Sequence, residues 1–159
     1  MSFWGAMAGG FVGTLVLTTG MRAATELRLT RIDLPFLLGT AFTADRVRAR
    51  ALGYALHFFF GLLFASGYYL IFQAAGEASW WLGAVFGLLH ALFAGTALVN
   101  VLLPLVHPRM ATIFSDASSA PLLEPPGFLL LNYGPSTPAV MITTHVAYGA
   151  IVGAFCAGG

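Results

Sequence analysis

"ALGYALHFFFGLLFASGYYLIFQAA", residues 51–75, runs without a single Asp, Glu, Lys or Arg. A helix rises ~1.5 Å per residue, so about 20 apolar residues cross the hydrocarbon of a bilayer. This stretch is long enough, and residues 3–21, 79–106 and 138–158 share its character. None offers water a polar face, as an amphipathic helix of a soluble protein would. The whole composition agrees: 58% of the 159 residues are hydrophobic, 8% are charged, and mean hydropathy is +0.86. Soluble domains carry about 25% charged residues. The expected fold is therefore all-α, a polytopic bundle of four transmembrane helices forming one membrane domain over residues 1–159.

Charge placement sets the topology. The seven basic residues are all arginine. Six of them, from Arg22 to Arg50, lie in the 22–50 connection, and Arg109 lies in the 107–137 connection. By the positive-inside rule both long loops are cytoplasmic and both termini outside. Trp4, Tyr68, Tyr69, Trp80 and Trp81 fall near the outer boundary, where an aromatic belt belongs. The first run is not a cleaved signal peptide, since its positive charges follow it. A net charge of +1 gives no reason to expect a nucleic-acid partner, and the lone Cys156 excludes an internal disulfide.

The chain also reads as a tandem repeat. "HFFFG" from His57 matches "HVAYG" from His145, and "GAMAG" from Gly5 matches "GAVFG" from Gly83. Thr18 and Thr96 follow those glycines at equal spacing, and "DLPFLL" from Asp33 loosely parallels "EPPGFLL" from Glu124. Two like-oriented hairpins imply a parallel repeat, with a pseudo-twofold axis along the membrane normal. Glycines four residues apart (Gly5, Gly9 and Gly13; Gly83 and Gly87; Gly149 and Gly153) let helix backbones approach closely in lipid. Gly61 and Gly149 each follow a repeat histidine by four, which turns His57 and His145 toward the bundle interior.

Counted from the cytoplasmic boundary, His57, His145 and Asn100 sit about 10 Å deep, level with Thr14 and Thr18. His90 lies ~15 Å deeper. Two facing imidazoles suit a metal ion or axial ligation of haem, for redox chemistry or ion movement. Asp33 and Glu124 would add carboxylates if the loops fold back, a nitrogen and oxygen set that suits zinc or iron. Asn100 is a further candidate metal ligand, and His90 a further cofactor contact. No local HxxxH, ExxH or CxxC motif clusters these ligands within one helix.

Plainer readings stand beside these. Buried histidines and the Thr96/Asn100 pair serve equally as interhelical hydrogen-bonding glue. Asp33 before Leu34 and Pro35 suits a helix N-cap, and His107 an interfacial cation at a helix end. The protein is then a non-catalytic structural or assembly subunit, binding partner membrane helices through its small-residue faces. A third reading is an enzyme or carrier acting on lipid or quinone, touched by His90 or Tyr68. No nucleophile elbow, phosphate loop or dinucleotide fingerprint is present, and Ser115, Ser118 and Ser119 have no matching base.

At "IDLPFLLGTAF", "LHFFFGLLFASGYYLIF", "LGAVFGLLHALFAG" and "THVAYGAIVGAF" the chain resembles small bacterial four-helix integral membrane proteins of a domain-of-unknown-function family. The resemblance covers nearly the whole chain and includes Asp33, His57, His90 and His145. It implies a four-helix protein of the bacterial inner membrane and supplies no activity. The absence of lysine beside abundant Ala, Gly and Leu suits a GC-rich bacterial genome.

Overall fold

The computed structural model describes residues 1–111 and 123–158; Ser115, Ser118 and Ser119 lie outside them. The described chain is all-α. Its long helices are α1 (Phe3–Glu26), α3 (Arg46–Ala75), a composite third helix, and α6 (Thr137–Gly158). The composite consists of α4 (Trp80–Phe93), a π-helical stretch (Ala94–Leu102) and α5 (Leu103–Val106). All four are long and apolar enough to cross a membrane, which brings their outer faces into contact with lipid. A short α2 (Leu34–Gly39) and a 3-10 segment (Phe128–Tyr133) lie in the long connections.

Helix starts follow side chains that accept from otherwise orphaned N–H groups. Ser2 caps α1, Asp33 caps α2, Asp45 caps α3 and Ser79 caps α4. Asp45 starts α3 at Arg46, ahead of the apolar run, and the Arg22–Glu26 pair carries α1 past Met21 into the polar boundary. The π stretch has a cause as well. Pro104 has no N–H to give and its ring crowds the carbonyl one turn back. Asn100 Nδ2 also donates back to the carbonyls of Gly95 (3.1 Å) and Thr96 (3.0 Å) within the π stretch.

The glycine spacing becomes the packing. Gly5, Gly9 and Gly13 of α1 lie against Phe155, Val152 and Tyr148 of α6, while Gly83 and Gly87 of α4 lie against Gly149 and the His145 backbone. Both glycine faces therefore converge on α6, which sits between α1 and α4, and α3 packs on the far side of α1. The pseudo-twofold symmetry of the repeat is not shown by this arrangement. It would require α3 to pack on α4 as α1 packs on α6, and no comparable contact joins them. Among the described residues α3 and α4 meet through the rings of Phe64 and His90 (3.8 Å between centroids), of Tyr68 and Phe72 with Phe86 (6.0 and 5.8 Å), and through the Tyr68 hydroxyl and His90 Nδ1 (3.3 Å). Toward the long loops they diverge.

The long connections lock together and close that end. Arg31 pairs with Glu124 and donates to the Asn132 carbonyl, and its backbone N–H donates to Tyr133 O (2.8 Å). Thr30 and Thr137 share a hydrogen bond of 2.7 Å. His107 is not exposed at the interface, as expected for a residue at the end of the third helix, but covered. Its Nε2 donates to Leu37 O (3.0 Å), and its Nδ1 accepts from the Arg109 N–H (3.3 Å). Both ring nitrogens are used, so it ties α2 to the end of the third helix.

Candidate functional site

Where α3 leaves α4, an apolar cleft of about 630 Å³ opens. Clefts of about 300–1,000 Å³ are of a size that holds small organic ligands. Phe60 and Phe64 of α3 form one wall, and Phe93, Leu98 and Leu102 of the third helix form the other. Leu17 and Met141 line the floor, and Ile32, Leu38 and Leu130 cover the loop end. At the mouth Leu63, Leu102, Leu105 and Val106 are 54%, 46%, 78% and 73% exposed, so the cleft opens sideways between helices.

Three of the four histidines line it: His57, His90 and His145. Each uses Nδ1 internally. His145 Nδ1 lies 2.8 Å from the Met141 carbonyl, His57 Nδ1 lies 3.1 Å from Thr18 Oγ1, and His90 Nδ1 lies 3.3 Å from the Tyr68 hydroxyl. No hydrogen bond among the described residues reaches any of their Nε2 atoms. Among those residues, no side-chain nitrogen or oxygen is both buried and unpartnered. The three Nε2 atoms are therefore not fully sealed; His90 and His145 line the cleft, and His57 lines both the cleft and a smaller niche. The rings of His90 and His145 stand edge to face, 4.9 Å apart between centroids.

His57 also borders a smaller niche of about 30 Å³, together with Thr18, Arg22, Thr25, Asp33 and Tyr54. A cavity needs about 10–15 Å³ on this measure to hold a water. His57 thus borders both this small niche, which Met21, Ile32, Leu34 and Pro35 also line, and the apolar cleft.

The remaining expected ligands are placed elsewhere. Asp33 accepts from Phe36 N (3.1 Å) as the α2 N-cap and pairs with Arg50 (3.1 Å). It shares the small niche with His57 but does not line the cleft. Glu124 pairs with Arg31 (3.4 Å) at the loop surface, and Asn100 turns back onto its own helix. Among the described residues no group of three or more His, Cys, Asp or Glu is placed to hold a metal ion.

Depth counting put His90 away from His57 and His145, yet it stands beside His145. The composite third helix spans 27 residues, about 40 Å at ~1.5 Å each, so counting back from Val106 misplaces its levels. Counted from the short-turn end, Trp80 to His90 and Gly158 to His145 are comparable distances. Tyr148 was not singled out from the sequence. It is buried at the back of the cleft, and its hydroxyl donates to Gly61 O (2.5 Å). Its place in "HVAYG", three residues beyond His145, was the available signal.

No protein-family model, curated protein or solved structure matches this chain, so the family resemblance of its helix phrases finds no support there.

Proposed function

We propose that the cleft is a binding site for one apolar molecule whose polar end is held by His57, His90 and His145. The observation that carries this reading is three histidines, their Nε2 atoms not fully sealed, lining a cavity of about 630 Å³ whose walls are otherwise almost wholly aliphatic and aromatic. Ionisable groups inside a membrane are costly to keep without a role. Apolar cavities with a few convergent polar groups are the usual form of a small-molecule site. This makes the chain a multi-pass membrane protein that binds or carries a lipid-soluble compound.

A second occupant, a haem or a metal ion serving redox chemistry or ion movement, is favoured by one specific feature. His57 and His145 have Nδ1 tied to oxygen atoms, as metal-bound imidazoles commonly do. Protein purified in nanodiscs from its native membrane tests both readings at once, by mass spectrometry of the extracted small molecules, metal analysis and visible absorption. The expected result is a near-stoichiometric apolar molecule, absent from the cleft-filling Leu98→Trp variant and depleted in His57→Ala and His145→Ala. Colour or bound metal lost in the same variants selects the second occupant. An empty extract, with a membrane protein reproducibly crosslinked at Leu63 or Leu105, would replace both with a structural subunit whose partner helix fills the cleft.

A further inference from the structure

The hydrogen bonds around the cleft fix which ring nitrogens carry protons. A carbonyl only accepts, so His145 Nδ1 donates its proton to Met141 O at 2.8 Å, and its Nε2 bears a bare lone pair. His57 follows by one further step. Thr18 has a single hydroxyl proton, and its Oγ1 lies 2.6 Å from the Thr14 carbonyl, a distance that requires the proton between them. Thr18 can then only accept from His57 Nδ1, which leaves His57 Nε2 as a lone pair too. These assignments come from partner chemistry, which is how histidine tautomers are settled in structures without visible hydrogens.

The other polar groups lining the cleft have no proton to spare. Thr14 donates to Gly10 O (2.7 Å) and Tyr148 to Gly61 O (2.5 Å). His90 alone is undetermined, because the Tyr68 hydroxyl can give or take at 3.3 Å. The cleft therefore presents two fixed acceptors, at His57 and His145, and at most one donor, at His90. A ketone, ester or ether oxygen would face a lone pair there. An ammonium would enter an apolar cavity without a counter-charge, at high cost.

On the reading that the cleft binds a small apolar molecule, we infer that it selects one whose polar end is a neutral hydroxyl. That class comprises lipid-soluble alcohols, phenols and quinols, taken in preference to their carbonyl or ether counterparts. Such a hydroxyl donates to Nε2 of His57 or His145 while its tail lies between the Phe60, Phe64 and Phe93 rings. His90 can supply the matching donor to the hydroxyl oxygen.

The test uses the full chain in nanodiscs with ¹⁵N-labelled histidine. In the absence of added probe, the His57 and His145 spectra should show protonated Nδ1 and unprotonated Nε2. Probes are then a decyl-tailed benzoquinol kept reduced, the matching quinone, the matching quinol dimethyl ether, and hexadecanol with its methyl ether. The quinol should bind about tenfold or more tightly than its dimethyl ether, since the ether leaves desolvated acceptors unsatisfied. Its binding should shift the Nε2 resonances of His57 or His145. Hexadecanol exceeding its ether by a similar factor, with no advantage for the quinol, would identify a lipid alcohol as the source of the hydroxyl. Thr18→Val frees His57 to change tautomer and should shrink the preference. Should that variant fail to fold, the wild-type tautomer spectrum still decides. Nε2-protonated rings at both sites, or equal affinity across the probes, overturns the hydroxyl selectivity and leaves the binding site standing. Binding of no probe overturns the site itself.

Discussion

Gly87→Ala is a direct perturbation of the α4–α6 contact. A Cβ built on Gly87 comes 2.9 Å from Val146 Cα and 3.0 Å from the His145 carbonyl carbon, with the carbonyl oxygen nearer still. Carbon atoms rest about 3.5–4.0 Å apart, so α4 must retreat from α6 by roughly 0.5–1 Å. The atoms met are backbone, which cannot rotate aside, and overpacking of this kind costs about 1–3 kcal/mol. Alanine returns about 0.5–1 kcal/mol as the better helix former. The net loss is about 0–2.5 kcal/mol. Gly67 in α3 provides the matched control, because a Cβ there meets nothing within 4 Å. Gly67→Ala should leave stability unchanged or raise it by up to about 1 kcal/mol. Unfolding free energies in mixed micelles would separate the two variants by about 1–3 kcal/mol. Adding Gly83→Ala to Gly87→Ala should cost less than the sum of the two, since the first retreat already opens the shared face. If Gly87→Ala proves as stable as Gly67→Ala, the close-packed α4–α6 interface is wrong.

Three other outcomes are expected. Burial, reinforced by the Glu124 carboxylate and partly offset by Arg31, pushes the Tyr133 phenol up to about 12 from its ordinary 10.0. The native state thus holds that proton more tightly than the unfolded chain, so its contribution is present below pH 10 and fades as pH rises toward 12; a denaturation series should show this loss in wild type and not in Tyr133→Phe. Replacing His107 by Ala removes one hydrogen bond to the Leu37 carbonyl, which Thr40 Oγ1 also reaches, and opens a buried space, lowering stability by about 1–3 kcal/mol, while Arg31→Ala should cost under about 1 kcal/mol because its ion pair is solvent-exposed. Single cysteines in the 22–50 and 107–137 loops, placed in a Cys156→Ala background, should react only with membrane-permeant maleimide in intact cells; labelling by an impermeant reagent would reverse the topology.

The helices were legible because a bilayer imposes its requirement residue by residue, and an uncharged run such as 51–75 has few alternatives. The glycine stripes were legible for the same kind of reason, since close backbone approach in lipid needs small residues at helical spacing. Which helix each stripe faces was not. Gly5 and Gly83 read identically in sequence, and nothing local states that both turn to α6. The sparse α3–α4 contact was invisible for that reason, and with it the cleft. His57, His90 and His145 stood out because histidine is rare in this chain, but their common cavity depends on helix order. The carboxylates Asp33 and Glu124 attracted attention as ligands because loop position says nothing about the nearby arginine. Arg50 and Arg31 occupy them instead. The π stretch carried a sequence signal in Asn100 and Pro104, four residues apart, whose combined effect on the backbone is not a matter of periodicity.

The sideways mouth formed by Leu63, Leu102, Leu105 and Val106 changes what an affinity for this protein would mean. A solute arriving there has already left water, so the concentration that governs occupancy is its mole fraction among the lipids. Each CH₂ added to its tail favours the bilayer by about 0.8 kcal/mol, roughly a fourfold enrichment, without one new contact to the protein. Dissociation constants referred to the aqueous volume would therefore tighten along a homologous series of tails and weaken whenever empty vesicles are added. Referred to the lipid, the same constants would hold nearly level, and only changes at the polar end would move them.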